Sequence, residues 1–449
     1  MSDAKLRELL REGEHMMERE DAGTQLDEVS EARIASAARR RRGGRTFLVA
    51  AASVAGIGLV VGAGWLLLGG GDSTPIAPPS GEPTMRGLPA FGGEVTEHET
   101  LPTAQAITAQ AWSDAGAGWV LASYRASWSE EDPDSGDYLS AYGPQVIYLV
   151  SPAGDRYQLT EVEDNATVFV EQWTPGDTTA LVLKVSDEFD APNEWATLEL
   201  TTGVLSASPV TVTTDVMALG VMSDGTQVWS ADYALSGPAW SLTVDGAAPV
   251  DVTRWRAAVT VAEAAYNRPE EPDLCQFSST WDAESDLVEC YPPSEGRSGP
   301  AATTFYRVYT DGRSEDVTPA QDGDLWASGG DNVVTGGHLV VSVKPVDAET
   351  CDVGLAVVED GTMTHLPGLD ARQRLDDEGA VWLIGAAGQS VYSAVSPGCG
   401  GDGSPRNLVR NDVVSGEQVE LIPVPAGPMP SGVELWGTLT NAYVVPGGM

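Results

Sequence analysis

The chain has 449 residues, 66 of them acidic and 25 basic, and a formal net charge of −41. A field of that sign repels the phosphates of nucleic acids and anionic lipid headgroups, which excludes nucleic-acid binding as a function. It favours solubility, cations and basic partners.

The first 45 residues predict a short helical segment that carries no net charge. They hold ten acidic and ten basic side chains, and apolar residues recur near helical spacing at Leu6, Leu9, Leu10 and Met17. The arrangement resembles the short cytosolic heads of transmembrane anti-sigma factors, which implies an alternative function as an envelope sensor with a cytosolic regulator on residues 1–45. The zinc-type head of that class needs a histidine and two cysteines, whereas this segment has His15 and no cysteine.

Residues 46–68 predict a transmembrane helix. The run 47–68, FLVAAASVAGIGLVVGAGWLLL, has no charge and is long enough to cross a bilayer core of about 30 Å at about 1.5 Å per residue. A cleaved signal peptide has a shorter leader and an apolar core of only about 7–15 residues, so an uncleaved signal anchor is favoured. Because cationic flanks stay in the cytoplasm, residues 1–45 are expected inside and the rest outside. The flanking arginines are Arg39, Arg40, Arg41, Arg42 and Arg45.

Residues 69–93 are rich in Gly, Pro, Ser and Thr and predict a flexible linker. The part after the span carries all of the excess charge, with 56 acidic against 15 basic side chains. We therefore expect an acidic extracytoplasmic domain over residues 94–449, in a protein of the cell membrane.

All four cysteines, Cys275, Cys290, Cys351 and Cys399, follow the predicted span. An oxidising compartment permits disulfides there, and three pairings are possible. A zinc site is the alternative, but there is no Cys-x-x-Cys spacing and no histidine within ten residues of any cysteine. The pattern favours structural disulfides, with the pairing left open.

The outer part repeats one unit six times: an apolar strand, a tight turn with glycine, and a second strand. A further strand pair stands between successive units, so that about four strands recur every 43 to 66 residues. A single four-stranded sheet cannot bury both faces, whereas a ring of such sheets can. The pattern predicts an all-β domain, a six- or seven-bladed β-propeller, in which the last strands complete the first blade or belong to a seventh. The turn glycines are Gly154, Gly203, Gly246, Gly312, Gly361 and Gly416.

The repeat of residues 95–449 resembles membrane-anchored β-propeller proteins of high-GC, actinobacterial-type bacteria, including TolB-like and WD40-like propellers. The resemblance implies a ligand- or protein-binding module rather than an enzyme, with an unknown protein or small molecule as partner. The WD40 signature is absent, because the only Trp-Asp pair is Trp281-Asp282 and lies between two of the cysteines.

A D-x-G-x-x-W motif is present twice and resembles the core of the Asp-box of sialidases and related propellers. The resemblance implies a structural turn, in which the carboxylate accepts turn amides and the tryptophan packs between sheets. The leading Ser or Thr of the box is missing in both copies. Their residues are Asp114, Gly116 and Trp119, and Asp377, Gly379 and Trp382.

Candidate catalytic and metal sites are few. A sialidase-like glycosidase, the second alternative, needs three converging arginines and a tyrosine nucleophile. A serine hydrolase needs a G-x-S-x-G elbow, which this sequence lacks. The acidic run 130–137 offers calcium ligands at Asp132, Asp134 and Asp137, although it lacks the twelfth-position Glu and the helices of an EF-hand. A solvated loop is the alternative there, and no other cofactor is expected.

Overall fold

The computed structural model describes sixteen stretches of the chain, all of them within residues 88–446. They are residues 88–91, 95, 101–131, 138–162, 167–185, 192–221, 227–231, 235, 237–266, 275–291, 303–328, 332–345, 352–371, 380–396, 407–423 and 435–446. The predicted helices in 1–45 and 46–68, and most of the linker, lie outside these stretches. In the part of the chain that is described, no helix has the length and apolar character needed to cross a membrane.

The described residues form six sheets, the blades, which are antiparallel apart from one short parallel edge strand, and two helices. Blade 1 contains β1 (Gln105–Ala106), β2 (Val120–Glu131), β3 (Tyr138–Val150) and β4 (Arg156–Glu161). Blade 2 contains β5 (Thr167–Trp173), β6 (Thr179–Val185), β7 (Glu194–Glu199) and β8 (Leu205–Ala207). Blade 3 contains β9 (Met217–Val221), β10 (Gln227–Ser230), β11 (Ala239–Thr243) and β12 (Gly246–Val250).

The second half of the chain repeats this arrangement. Blade 4 contains β13 (Cys275–Asp282), β14 (Ser285–Cys290), β15 (Thr304–Tyr309) and β16 (Ser314–Asp316). Blade 5 contains β17 (Leu325–Ala327), β18 (Val333–Thr335), β19 (His338–Pro345), β20 (Gly354–Glu359) and β21 (Thr362–His365). Blade 6 contains β22 (Ala380–Ala387), β23 (Ser390–Ser396), β24 (Asn407–Asp412) and β25 (Gln418–Ile422), and β26 (Leu435–Val444) follows. The helices are α1 (Ala109–Asp114) and α2 (Thr253–Tyr266).

Each blade buries both faces against its two neighbours. The buried apolar residues fall into six clusters, and each cluster joins two successive blades, including blade 6 with blade 1. In β2, for example, Leu121 faces blade 2, whereas Val120, Ala122 and Tyr124 face blade 6. This two-sided burial explains why the central strands are nearly continuous apolar runs, and the closed ring is a six-bladed β-propeller.

The ring closes through blade 1, whose inner strand comes from the C-terminus. β26 pairs antiparallel with β2, so that blade 1 has the order β1-β4-β3-β2-β26. The last strand therefore completes the first blade. The alternative that it belongs to a seventh blade is wrong for the described part of the chain. The N-terminal side adds β1, which pairs parallel to the outer strand β4.

All six predicted repeat units are the third and fourth strands of a blade. Their turn glycines all have positive φ, from 71° at Gly416 to 138° at Gly246. Residues with a Cβ rarely adopt this backbone conformation, so each turn favours glycine at that position.

The longest interval between turn glycines, 66 residues from Gly246 to Gly312, contains both a disulfide and a helix. Cys275 and Cys290 lie directly opposite each other in β13 and β14, the two inner strands of blade 4, and form a disulfide. The added length is α2, which packs its Trp255 and Val259 into the cluster between blades 3 and 4. Cys351 and Cys399 lie outside the described residues.

Candidate functional site

The inner strands of the blades share an irregularity near their middle. In five blades one residue near the middle of the inner strand has no opposite residue in the second strand, which is a β-bulge. The inner strand of blade 4 has a second such residue, Trp281, near its end. In blade 5 the inner edge is divided between β17 and β18. Bulges re-aim side chains and occur often beside functional sites, so this belt around the centre of the ring is the candidate site. The bulge residues are Glu171, Leu219, Ser278, Ile384 and Thr440.

Glu171, the bulge residue of β5, is an isolated buried acid. It has no solvent exposure, and neither carboxyl oxygen has a hydrogen-bond partner among the described residues. Burial raises the pKa of Glu171 from 4.5 to about 8. An unpaired buried carboxyl is costly, so it needs a specific explanation.

Asn441 of β26 is the second unpartnered polar side chain in this belt. It is 1% exposed, and neither its Oδ1 nor its Nδ2 has a partner in the described part of the chain. Asn441 lies opposite Ser123, on the face of blade 1 that meets blade 2. The oxygen of the Gln172 side chain, next to Glu171, is also buried and unpartnered.

The strand order places Asn441 and Glu171 at one level of the ring. The backbone N–H of Trp173 donates to the hydroxyl of Tyr443, which joins β5 to β26. Because the antiparallel order makes both inner strands run in the same direction, one step of two residues back along each strand leads from this pair to Glu171 and Asn441. The bulge at Glu171 interrupts the alternation of β5, so this step gives the level of Glu171 in the ring and not the blade that its side chain faces.

A neighbouring network fixes this junction. The Gln145 side chain accepts a hydrogen bond of 2.9 Å from the backbone N–H of Val168 and donates one of 2.7 Å to its carbonyl. It also donates to the hydroxyl of Ser123. Arg125 donates to Thr167 and, at 3.2 Å, to the carbonyl of Gly143. Blades 1 and 2 are thus held in register around Glu171 without bonding its carboxyl.

The junction of blades 4 and 5 shows how a buried glutamate is satisfied in this fold. Glu289 accepts hydrogen bonds from the Asn332 side chain at 3.1 Å and from the Tyr291 hydroxyl at 2.7 Å. The Asn332 carbonyl in turn accepts the Ser278 hydroxyl at 3.2 Å. Glu289 therefore stabilises the joint between its blades, whereas no described residue gives Glu171 such a partner.

A second acid with a raised pKa lies in blade 5. Loss of hydration raises the pKa of the Asp352 carboxyl from 3.8 to about 6, although hydrogen bonds from Ser328 and Ser342 and the charge of Lys344 favour its ionised form. Its backbone carbonyl accepts the N–H of Val381 at 2.9 Å. Asp352 thus couples blade 5 to the first strand of blade 6.

The first D-x-G-x-x-W motif lies between a helix and a strand, not in a turn between two strands. Asp114 ends α1, and its carboxylate accepts hydrogen bonds of 2.7 and 2.8 Å from the Gln110 side chain. Gly116 accepts the backbone N–H of Trp119 at 3.0 Å, and the Trp119 ring stacks on Tyr157. The carboxylate of Asp114 therefore bonds a helix side chain, whereas the carboxylate of an Asp-box accepts turn amides.

Several predicted site residues lie outside the described stretches. These are Asp377 and Gly379 of the second motif, the calcium candidates Asp132, Asp134 and Asp137, and the flanking arginines 39–42 and 45. Trp382 is described, and it packs partly buried between blades 6 and 1. Within the described residues, no group of three metal-binding side chains is present.

The described histidines and arginines do not converge on one point. His338 lies 3.4 Å from Glu359, and His365 lies 3.2 Å from Asp322 in the same blade. His365 is largely buried, with 9% of its side chain exposed. Arg254 pairs with Asp286, and Arg307 pairs with Asp282, both in blade 4.

Sequence reasoning missed Glu171 and Asn441. The available signal was an acid within an otherwise apolar strand, TVFVEQW, where alternation alone does not place a charge. A charged residue inside such a run is a candidate for a buried functional group.

The closed ring and its inner belt define the chain as a six-bladed β-propeller. No family model and no curated protein matches the sequence. Similar solved structures include TolB from Acinetobacter baumannii, at 11% identity and a TM-score of 0.33, over 72% of this chain and 66% of TolB. The β-propeller domain of the Trilobed protease from Pyrococcus furiosus has 14% identity and a TM-score of 0.31, over 67% and 82%.

A puromycin-hydrolyzing peptidase of Mycobacterium tuberculosis also has 14% identity and a TM-score of 0.32. The match covers 76% of this chain and 58% of the peptidase, so the chain spans less than two thirds of that protein and of TolB. These similarities concern the propeller fold and carry no argument about activity.

Proposed function

We propose that the chain is a single-pass membrane protein whose propeller acts outside the cell membrane as a non-catalytic module that binds a basic protein or cationic ligand. The propeller itself supports a binding or scaffold role, because its loops and inner strands offer many side chains on a rigid frame. The observation that carries the proposal is the charge of the part after residue 68, which has 56 acidic against 15 basic side chains.

Charge supports the choice of partner. The excess of acidic side chains after residue 68 attracts cations and repels polyanions. Such attraction between exposed charges is screened by salt. Binding should therefore be selective for positive charge and should weaken as the ionic strength rises.

The location can be tested with the full chain carrying a C-terminal tag. Protease added to intact cells should remove the tag, and a cytosolic reporter protein in the same cells should survive. A tag that is cleaved only after the membrane is permeabilised contradicts the proposed orientation.

The binding can be tested with the full chain in non-ionic detergent. Polylysine should bind and be released by salt, whereas polyglutamate of equal length, the matched control, should not bind. Equal binding of both polymers, or binding of neither, contradicts the proposed preference for basic partners.

A further inference from the structure

Among the described residues, the joint between blades 2 and 3 is the least buried of the six. Half-buried apolar residues outnumber buried ones in its cluster, whereas buried residues predominate in the other five. Leu183 of blade 2 and Trp240 and Val244 of blade 3 are half-buried there, together with Val210 and Val212 of the connector between β8 and β9. Apolar surface that remains half exposed in this way marks a candidate binding site.

Three tryptophans lie at this joint. The rings of Trp195 in β7 and Trp229 in β10 meet edge to face, with their centroids 5.3 Å apart. Trp240 in β11 lies directly opposite Trp229. Because Trp195 and Trp229 are buried and Trp240 is half-buried, Trp240 is the tryptophan that a partner can reach.

The joint also contains a hydrogen-bond donor that the described residues do not satisfy. Only 8% of Trp195 is exposed, and its indole N–H has no acceptor in the described part of the chain. An indole N–H can only donate, and leaving it buried without an acceptor is costly. A peptide carbonyl of a bound partner is a suitable acceptor.

The charge around the joint is negative. Residues 185–253, from the last residue of β6 to the first of α2, contain ten acidic side chains and no lysine, arginine or histidine. Glu194 begins β7, Asp215 precedes β9 and Asp251 follows β12, and all three are exposed. Because the strands are antiparallel, these acids lie at the same end of their blades as the three tryptophans.

The basic side chains that flank this stretch belong to other joints. Lys184 lies opposite Val168, which packs between blades 1 and 2. Arg254 and Arg256 belong to α2, which packs between blades 3 and 4, and Arg256 donates at 2.6 Å to the carbonyl of Leu235 in the same cluster. The exposed acids therefore attract a positively charged partner to the joint of blades 2 and 3.

Blade 4 shows how an arginine packs on aromatic rings in this fold. The guanidinium carbon of Arg307 lies 4.8 Å from the centre of the Trp281 ring and 5.0 Å from that of Tyr309. In the described part of the chain, no cationic side chain stacks on Trp240 in this way. A planar guanidinium group stacks on an aromatic face better than an ammonium group does.

We propose that a basic partner docks at the joint of blades 2 and 3 and stacks an arginine side chain on Trp240. This inference rests on the proposed preference for basic partners and assigns that preference to one site. The acids at the end of the joint attract the guanidinium group, and the half-buried apolar residues pack against the methylene groups of the arginine. A peptide carbonyl of the partner accepts the N–H of Trp195.

The first test is the binding of hexa-arginine and of hexalysine to the full chain in non-ionic detergent at low ionic strength. The wild type should bind hexa-arginine about fivefold more tightly than hexalysine, because the guanidinium group stacks on the indole ring. Trp240→Leu should weaken the binding of hexa-arginine about fivefold and abolish the preference. The matched control is Trp119→Leu, at a half-buried tryptophan of blade 1, which should keep both.

A second measurement does not depend on the stability of the variants. Trypsin cleaves after lysine and arginine, so residues 185–254 of the wild type leave the chain as one fragment. Hexa-arginine that carries a benzophenone group should cross-link to this fragment on illumination.

The outcomes separate this site from the proposed function. A wild type that binds neither peptide contradicts both. A wild type that binds the peptides without a preference for arginine, or that cross-links mainly outside residues 185–254, keeps the proposed function and overturns the site. Equal binding of hexa-arginine by the wild type and by folded Trp240→Leu also overturns the site.

Discussion

The hydroxyl of Tyr392 donates a hydrogen bond of 2.9 Å to the carbonyl oxygen of Gly118, across 274 residues of sequence. It connects β23 of blade 6 to the turn that enters β2 of blade 1. Both residues are buried. Burial raises the pKa of Tyr392 to about 12, although the positive charge of Arg410 acts to lower it. The bond therefore lies at the joint where the ring closes.

The substitution Tyr392→Phe should lower the free energy of unfolding by about 1–3 kcal/mol, because it leaves the buried carbonyl of Gly118 without this donor. Urea denaturation of the full chain measures the change. The control is Tyr309→Phe, whose hydroxyl bonds the exposed Glu315 and whose loss should cost less than about 0.5 kcal/mol. Equal effects of the two substitutions would show that the joint is not stabilised by this bond.

Two turn glycines in equivalent hairpins should respond differently to alanine. Gly203 and Gly312 have similar φ, 78° and 84°. A Cβ at Gly203 would lie 1.8 Å from the carbonyl oxygen of Glu161 in blade 1, whereas a Cβ at Gly312 would meet nothing within 4 Å. Gly312→Ala should cost about 1–2 kcal/mol for the backbone alone.

Gly203→Ala must in addition move the turn of blade 2 away from blade 1, so we expect a loss of about 3 kcal/mol or more. Urea denaturation of both variants measures the difference. Similar costs at the two positions would mean that the blades separate easily at this contact.

The repeat could be recognised from the sequence because its turns have a strict stereochemical requirement. Glycine is needed wherever φ is positive, and this requirement left a glycine between the third and fourth strands of every blade. The helix α2 was missed, because its β-branched residues, such as Val259, Thr260 and Val261, are weak helix formers that also suit strands.

The inner belt depends on a feature that alternation does not reveal. A bulge in β5 breaks the period of two, so the direction of the Glu171 side chain follows from pairing with β6 and not from the order of residues. Asn441 lies in the last strand, and its contact with blade 2 exists only because the ring closes there. Local patterns carry no information about either arrangement.

The disulfide between Cys275 and Cys290 should stabilise blade 4. Because it closes a loop with a sequence separation of 15, the double substitution Cys275→Ala and Cys290→Ala should cost about 3 kcal/mol. Peptide mapping without reduction should recover the two cysteines linked to each other. A link from either one to Cys351 or Cys399 would contradict the pairing.

The Asp352 carboxyl should make the stability of the propeller depend on pH. Its folded pKa, about 6, is higher than the ordinary 3.8, so the folded state favours the protonated form. That contribution is complete below about pH 3.8 and is lost as the pH rises through about 6. Asp352→Asn keeps a neutral side chain at every pH, so its Tm relative to the wild type should rise between pH 4 and pH 7. The exposed Asp311→Asn is the control and should give a smaller change. The opposite result, a wild-type Tm that rises relative to that of Asp352→Asn between pH 4 and pH 7, would contradict the prediction. It would mean that the hydrogen bonds from Ser328 and Ser342 and the charge of Lys344 outweigh the loss of hydration.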